Sequence, residues 1–132
     1  MKRRNVYSGA SWEPRVAYCR ANRVGDAVAV SGTVAADEAG QPVAPGDVYA
    51  QARYALGKIE RALGELGAGL ADVVRTRTYL TDISRFEEFA RAHREAFAGV
   101  DQAATCVEVA RLVAPEYVVE IEVDAIVGTG RG

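Results

Sequence analysis

The sequence predicts one α+β domain: a β-sheet with two helices laid across one of its faces. Three observations carry this. Residues 72–82 (DVVRTRTYLTD) and 117–127 (YVVEIEVDAIV) alternate with the two-residue period of a half-buried strand. Residues 48–66 instead place Val48, Ala52, Ala55, Leu56, Ile59, Ala62, Leu63 and Leu66 on one helical stripe. The order of segments, ββ-α-β-α-ββ, leaves two amphipathic helices that must bury their stripes against one sheet face.

In chain order, an edge strand is expected at 4–8. RVAYCRAN (15–22) and DAVAVSGTVA (26–35) read as two strands joined by a short Val-Gly turn. In the second, Ala27, Ala29 and Ser31 share one face, and Val28, Val30 and Gly32 the other. DEAGQPVAPG (37–46) is a loop by its turn formers. Asp47 then caps the first long helix, and Gly67 stops it. In the strand over 72–82, Val74, Thr76, Thr78 and Leu80 oppose Val73, Arg75, Arg77 and Tyr79. Ser84 and Glu87 have capping-box spacing for a second helix through Phe97. TCVEVARL (105–112) is a strand. In the last strand, Val119, Ile121, Val123, Ala125 and Val127 make an apolar face against Glu120, Glu122, Asp124 and Ile126. Residues 128–132 are expected to be a loose tail. The mixed polar face, with Arg75 and Arg77 against Glu120, Glu122 and Asp124, must meet water or another subunit.

Composition narrows the function. The chain has 132 residues, enough for one core, though small enough that association would help. No apolar run approaches the roughly 18 residues of a membrane span, and MKRRNVYSG lacks the apolar stretch of a secretory signal, so a cytoplasmic location is expected. Net charge is −2, with no basic or aromatic stripe, which argues against nucleic acid as a partner. Cys19 and Cys106 are too few for a disulfide framework. The only histidine, His93, rules against a His-rich metal site, and neither GxGxxG nor a P-loop is present. No metal or cofactor is expected.

VSGTVA (30–35), the helix beginning YAQARYALGKIE, ADVVRTRTYLTDISRFEEF (71–89), and above all TCVEVARL followed by VEIEVDAIV (119–127) resemble the Rid family, also called RidA/YjgF. The likeness covers nearly the whole chain. It implies a chorismate-mutase-like fold, a homotrimer whose sheets form a central barrel, and small-molecule clefts between subunits. Well-studied members hydrolyse imines and enamines to a keto acid and ammonia. There an arginine before the TCVEV-type strand holds the substrate carboxylate as a bidentate pair. A glutamate on the last strand positions water and moves protons.

Carried over by position, the resemblance implies Glu122 as the acid/base, with a two-residue insertion around 113–117. Ser31 and Cys106 line the cleft. The arginine's place is Ala104, so the chain resembles an arginine-less subgroup. The place of a cleft tyrosine is Arg15, whose guanidinium could replace the missing cation. An asparagine of some members falls at Ala90. Trp12 is expected near the cleft mouth. Glu120 and Asp124 read as structural, and Arg111 as a structural residue. Cys106 has no nearby His or Lys to activate a thiolate, and Ser31 has no base, so both read as lining groups rather than nucleophiles. The expected function is hydrolysis of an imine, enamine or related labile C–N bond. The alternative is a non-catalytic, ligand-binding or chaperone-like homotrimer, with endoribonuclease or translation inhibitor behind it.

Overall fold

The computed structural model describes residues 1–131. Six strands form: β1 (Arg3–Val6), β2 (Ala21–Val24), β3 (Ala27–Thr33), β4 (Val73–Leu80), β5 (Ala103–Glu108) and β6 (Val119–Ile126). They make one sheet in the order β1-β2-β3-β6-β4-β5. Only β4 and β5 run parallel; the other neighbours are antiparallel. Three helices complete the domain: α1 (Trp12–Val16), α2 (Val48–Glu65) and α3 (Phe86–Phe97). A mixed sheet with two long helices is the architecture the segment order requires.

The core lies between the sheet and the two long helices. The whole α2 stripe is buried, packed with Val119, Ile121, Val123 and Ala125 of β6 and with Phe89, Ala92 and Phe97 of α3. Asp47 caps α2 by accepting from Ala50 N at 2.9 Å. Gly67, at φ +80°, lets the chain leave the helix in a conformation that side chains with a Cβ resist. The opposite sheet face has no covering layer within the chain. By register it carries Arg75, Arg77 and Tyr79 of β4, Glu120, Glu122 and Asp124 of β6, Ala27 and Ala29 of β3, and Ala103, Thr105 and Val107 of β5.

Four expectations change. Residues 15–20 are not strand. Trp12–Val16 are helical and Ala17 turns left-handed at φ 65°, so the hairpin's first strand starts only at Ala21. The cause is a side-chain contact across five residues: Glu13 is 2% exposed and its carboxylate accepts from Ser8 N and Ser8 Oγ, folding 8–13 into a knot that alternation cannot foresee. Ser84 does not cap α3. Asp82 does the capping work one turn earlier, accepting from Ser84 N and Ser84 Oγ at a 3₁₀ turn, and Arg85 pairs with Glu88. The strand expected through Leu112 ends at Glu108. Residues 128–131, expected to be loose, turn back so that Gly128 N and Gly130 N donate to Asp72 Oδ1; residue 132 lies outside the described residues.

Candidate functional site

The site is organised by an irregularity in β3. Val30 pairs with Val123 and Thr33 with Ile121, so Ser31 and Gly32 together oppose the single residue Glu122. This is a β-bulge, which re-aims side chains. It also explains why Thr33 is buried alongside Val28 and Val30, out of simple alternation. Gly32 makes room for the acid: a Cβ at this position would lie 2.4 Å from Glu120 Oε2. The carboxyl of Glu120 therefore rests directly on the bulge.

Glu120 and Glu122 differ in environment although both project from the open face of β6. Glu122 Oε1 accepts from the Tyr79 hydroxyl at 2.5 Å, and Oε2 lies 3.5 Å from Arg77 Nη1. Arg77 also reaches Asp124 at 3.1 Å. Those pairs are a third or more exposed, so they orient side chains more than they stabilise the fold. The bond to Glu122 raises the Tyr79 hydroxyl's pKa. Glu120 makes no hydrogen bond among the described residues. Burial raises its pKa, the Glu122 charge adds to this, and Arg20 opposes it. A half-buried carboxyl with a raised pKa, whose side chain has no hydrogen-bond partner among the described residues, is the candidate acid of the site. Sequence alternation put Glu120 and Glu122 on one face but could not tell them apart; the glycine opposite was the usable signal.

Ser31 lines an open basin of about 800 Å³ with Asn5, Tyr7, Glu13, Tyr18, Cys19 and Asn22 among its walls. Its hydroxyl donates to the Cys19 carbonyl at 2.8 Å. Two tyrosines reach this wall, Tyr7 and Tyr18, the latter three residues beyond the position 15 expected from the resemblance. Arg15 is exposed, stacked over the Trp12 ring at 4.5 Å, and is not among the basin's lining residues. Trp12 belongs to a second groove of about 500 Å³ with Pro42, Pro45, Val113, Glu116 and Tyr117.

Ala104 and Cys106 lie elsewhere. They lie on the outer strand β5, paired with Thr76 and Thr78 of β4, on the helix side of the sheet and three strands from the bulged β3. Burial pushes the Cys106 thiol's pKa up, away from a reactive thiolate. The chain by itself thus sets Ser31 and Gly32 opposite Glu122 with Glu120 against Gly32, while neither acid lines the Ser31 basin, and it keeps Ala104, Cys106 and Arg15 apart from them. His93 is packed between Phe89 and Phe97, with Nε2 at 3.0 Å from Thr76 Oγ1 and 3.1 Å from Gln102 Nε2. Among the described residues no group of three or more His, Cys, Asp or Glu is placed to hold a metal ion, and no helix is long and apolar enough to cross a membrane.

This sheet-and-helix architecture has close structural counterparts. A Mycobacterium tuberculosis protein of the YjgF/YER057c/UK114 family superposes with a TM-score of 0.87 at 47% identity, over 96% of this chain and 100% of that one. Among curated sequences, an uncharacterised Streptomyces coelicolor protein is 34% identical over 95% of this chain and 92% of its own length. A RutC family protein of Pyrococcus abyssi is 31% identical over 96% and 97%. Residues 9–127 match the family described as Endoribonuclease L-PSP, and the chain belongs to this family, the YjgF/RidA group.

Proposed function

We propose that the protein is a RidA-like enzyme that hydrolyses an imine, enamine or similarly labile C–N bond of a small molecule, in clefts completed by neighbouring copies of a cytoplasmic homotrimer. The observation that carries this is the Glu120 carboxyl on the Ser31–Gly32 bulge, proton-favouring and without a hydrogen-bond partner among the described residues. The uncovered sheet face, where Val107 and Ile126 are 42% and 48% exposed beside the Arg77 cluster, supports association. So does the free outer edge of β5, which has β4 as its one neighbour in the sheet.

In this reading Glu120 gives its proton to the imine nitrogen as water adds to the carbon. The resulting carboxylate takes a proton from the adding water to give the carbinolamine, then returns it to the amino nitrogen and takes the hydroxyl proton as the C–N bond breaks, leaving a carbonyl compound and ammonia with the carboxyl protonated again. Glu122, which the resemblance assigns as the acid/base, acts beside it. Its charge favours the protonated form of Glu120, and its Tyr79 and Arg77 contacts hold it in place. Ser31 lines the cleft, and Cys106 and Ala104 come from the outer strand, where a neighbouring copy would meet them.

The test is ammonia or keto-acid release from freshly generated 2-aminoacrylate and bulkier imino acids. The parent should exceed the buffer rate. Glu120→Gln should lower turnover by roughly 10²–10⁴-fold, the usual value of a positioned acid/base, and Glu122→Gln by less. A parent with no activity on any of these substrates refutes the enzymatic reading. A larger loss in Glu122→Gln than in Glu120→Gln would return the principal role to Glu122.

Ala104 favours a second reading. With no arginine on the β5 wall, the fold could bind a small ligand without turnover, as a chaperone-like or ligand-holding trimer. Ligand affinity that survives Glu120→Gln, with no turnover by the parent, would select it. Salt-sensitive RNA binding would instead support the activity in the family's description.

A further inference from the structure

The groove beside Trp12 takes no part in the chemistry at the bulge. It holds about 500 Å³, the size of a small-molecule site, and Trp12, Pro42, Pro45 and Val113 stand in its walls. Trp12 is 46% exposed and Val113 62%, so apolar surface is open there. The walls are tied together by backbone bonds. Gly46 N donates to the Glu116 carbonyl at 3.3 Å, Tyr117 N donates to the Ala114 carbonyl at 3.1 Å, and Pro42 forms a β-bridge with Ala36.

Tyr117 supplies the groove's polar group. The residue is 6% exposed, yet its hydroxyl makes no hydrogen bond among the described residues. A phenol held that deep is ordinarily paired, because an unmet hydroxyl is costly. The hydroxyl is not sealed in protein, and the space that Tyr117 lines is the groove. The charge around it is negative. Glu116 is the charged residue of the lining, and its carboxylate has no ion pair or hydrogen bond among the described residues. Burial raises the pKa of the Tyr117 hydroxyl, and the charges of Glu116 and Asp37 add to this, so both acids act on the groove. The opposing cation is Arg15, stacked on the Trp12 ring at 4.5 Å. It is exposed, hence screened by water, and does not line the groove.

We propose that this groove binds a small organic ammonium ion with an apolar body. The body lies against Trp12, Val113 and the two prolines, and the ammonium N–H groups donate to the Tyr117 hydroxyl oxygen and the Glu116 carboxylate. An anion would meet two carboxylates instead, and a neutral molecule would gain nothing from their charge. A proline-rich peptide fits less well, because it docks between exposed aromatic rings. Here the Tyr117 ring is buried, which leaves Trp12 as the exposed aromatic wall. This site goes beyond hydrolysis at the bulge and stands whether or not that reaction occurs.

The test is equilibrium titration of the full chain with 2-phenylethylammonium, read by the emission of Trp12, the single tryptophan. The neutral control is 2-phenylethanol and the anionic control is 3-phenylpropanoate. The amine should saturate the Trp12 signal at millimolar concentration, the alcohol should bind roughly fivefold or more weakly, and the acid more weakly again. Glu116→Gln, at an exposed position, should bring the amine down to the affinity of the alcohol and leave the alcohol unchanged. Tyr117→Phe should weaken the amine. In the unmutated protein, the NMR signals of Trp12 Nε1 and Glu116 N should move with the amine, which keeps the test decisive even if the Phe variant does not fold. Equal affinity for amine and acid, an amine affinity untouched by Glu116→Gln, or no Trp12 response at millimolar amine would each overturn the proposal. Decaproline saturating the Trp12 signal at a lower concentration than the amine would overturn it in favour of a peptide groove.

Discussion

Gln51 lies on the buried stripe of α2 and is 0% exposed. Its amide nitrogen donates to the carbonyls of Val43 at 3.0 Å, Ala44 at 3.2 Å and Glu116 at 2.9 Å, and its oxygen accepts from Val118 N at 3.0 Å. It ties the loop before α2 to the loop before β6, and these loops form the groove beside Trp12. Gln51→Met keeps the volume and removes the amide. The Ala44 carbonyl would still accept from Asp47 N, and the Glu116 carbonyl from Gly46 N. The Val43 carbonyl and Val118 N would lose their Gln51 partner. At about 1–3 kcal/mol for each buried group left unpaired, with some relief from water, the expected loss is about 3 kcal/mol. For 132 residues the entropy of unfolding is about 0.28 kcal/mol/K, so the midpoint should fall by about 10 °C. Parent and variant must be melted at equal protein concentration, because association would add its own stabilisation. Hydrogen exchange should quicken over 43–46 and 116–118, and emission of the single tryptophan, Trp12, should shift to the red. A midpoint within about 2 °C of the parent, with unchanged exchange in both loops, would refute the stapling role, since the stated pairing costs would then be absent.

Three further outcomes follow from the same geometry. Because burial raises the Glu120 pKa, the folded state binds its proton more tightly than the unfolded chain does; this contribution to stability is full below the unfolded value and falls as pH rises through the folded one. Glu120→Gln should therefore gain on the parent as pH rises from 4 to 7, tracked by melting midpoints, and a constant gap would contradict it. His93 is the opposite case: burial lowers its pKa from 6.5, so stability is lost as pH falls from there through the folded value, and His93→Gln should flatten that part of the profile. Gly32→Ala should leave the melting midpoint nearly unchanged but cut turnover, because the added Cβ strikes the movable end of Glu120 and not backbone; a large loss of stability with normal turnover would show the glycine to be structural.

The strands and helices that depend on local pattern were readable from the sequence. The α2 stripe is buried to the last residue, and β6 keeps its apolar face throughout, because each pattern meets a single partner layer with the matching period. Asp47 was readable as a cap because capping is local. The errors fall where a nearby side chain bonds the backbone and overrides the apolar pattern. Glu13 binding Ser8 accompanies a helix at 12–16 that takes the start of the strand expected at 15–22, and Asp82, two residues before Ser84, makes the cap at the 3₁₀ turn. Gln51 gave no polar warning on an apolar stripe, since its partners are backbone groups at 43, 44, 116 and 118.

By itself, the sequence determined the family, the layered α+β architecture and the face on which the β6 acids stand, since all three follow from periodicity and from residues in contiguous segments. The tertiary structure alone decided which acid is available, because only the bulge at Ser31–Gly32 lays Glu120 against backbone while Tyr79 and Arg77 occupy Glu122. It also decided which arginine stands there: Arg15 stacks outward on Trp12, whereas Arg20 turns inward to the Gly32 carbonyl. Two arginines five residues apart look alike in a string of letters. Desolvation and hydrogen-bond geometry, which distinguish them, exist only once the chain has closed around them.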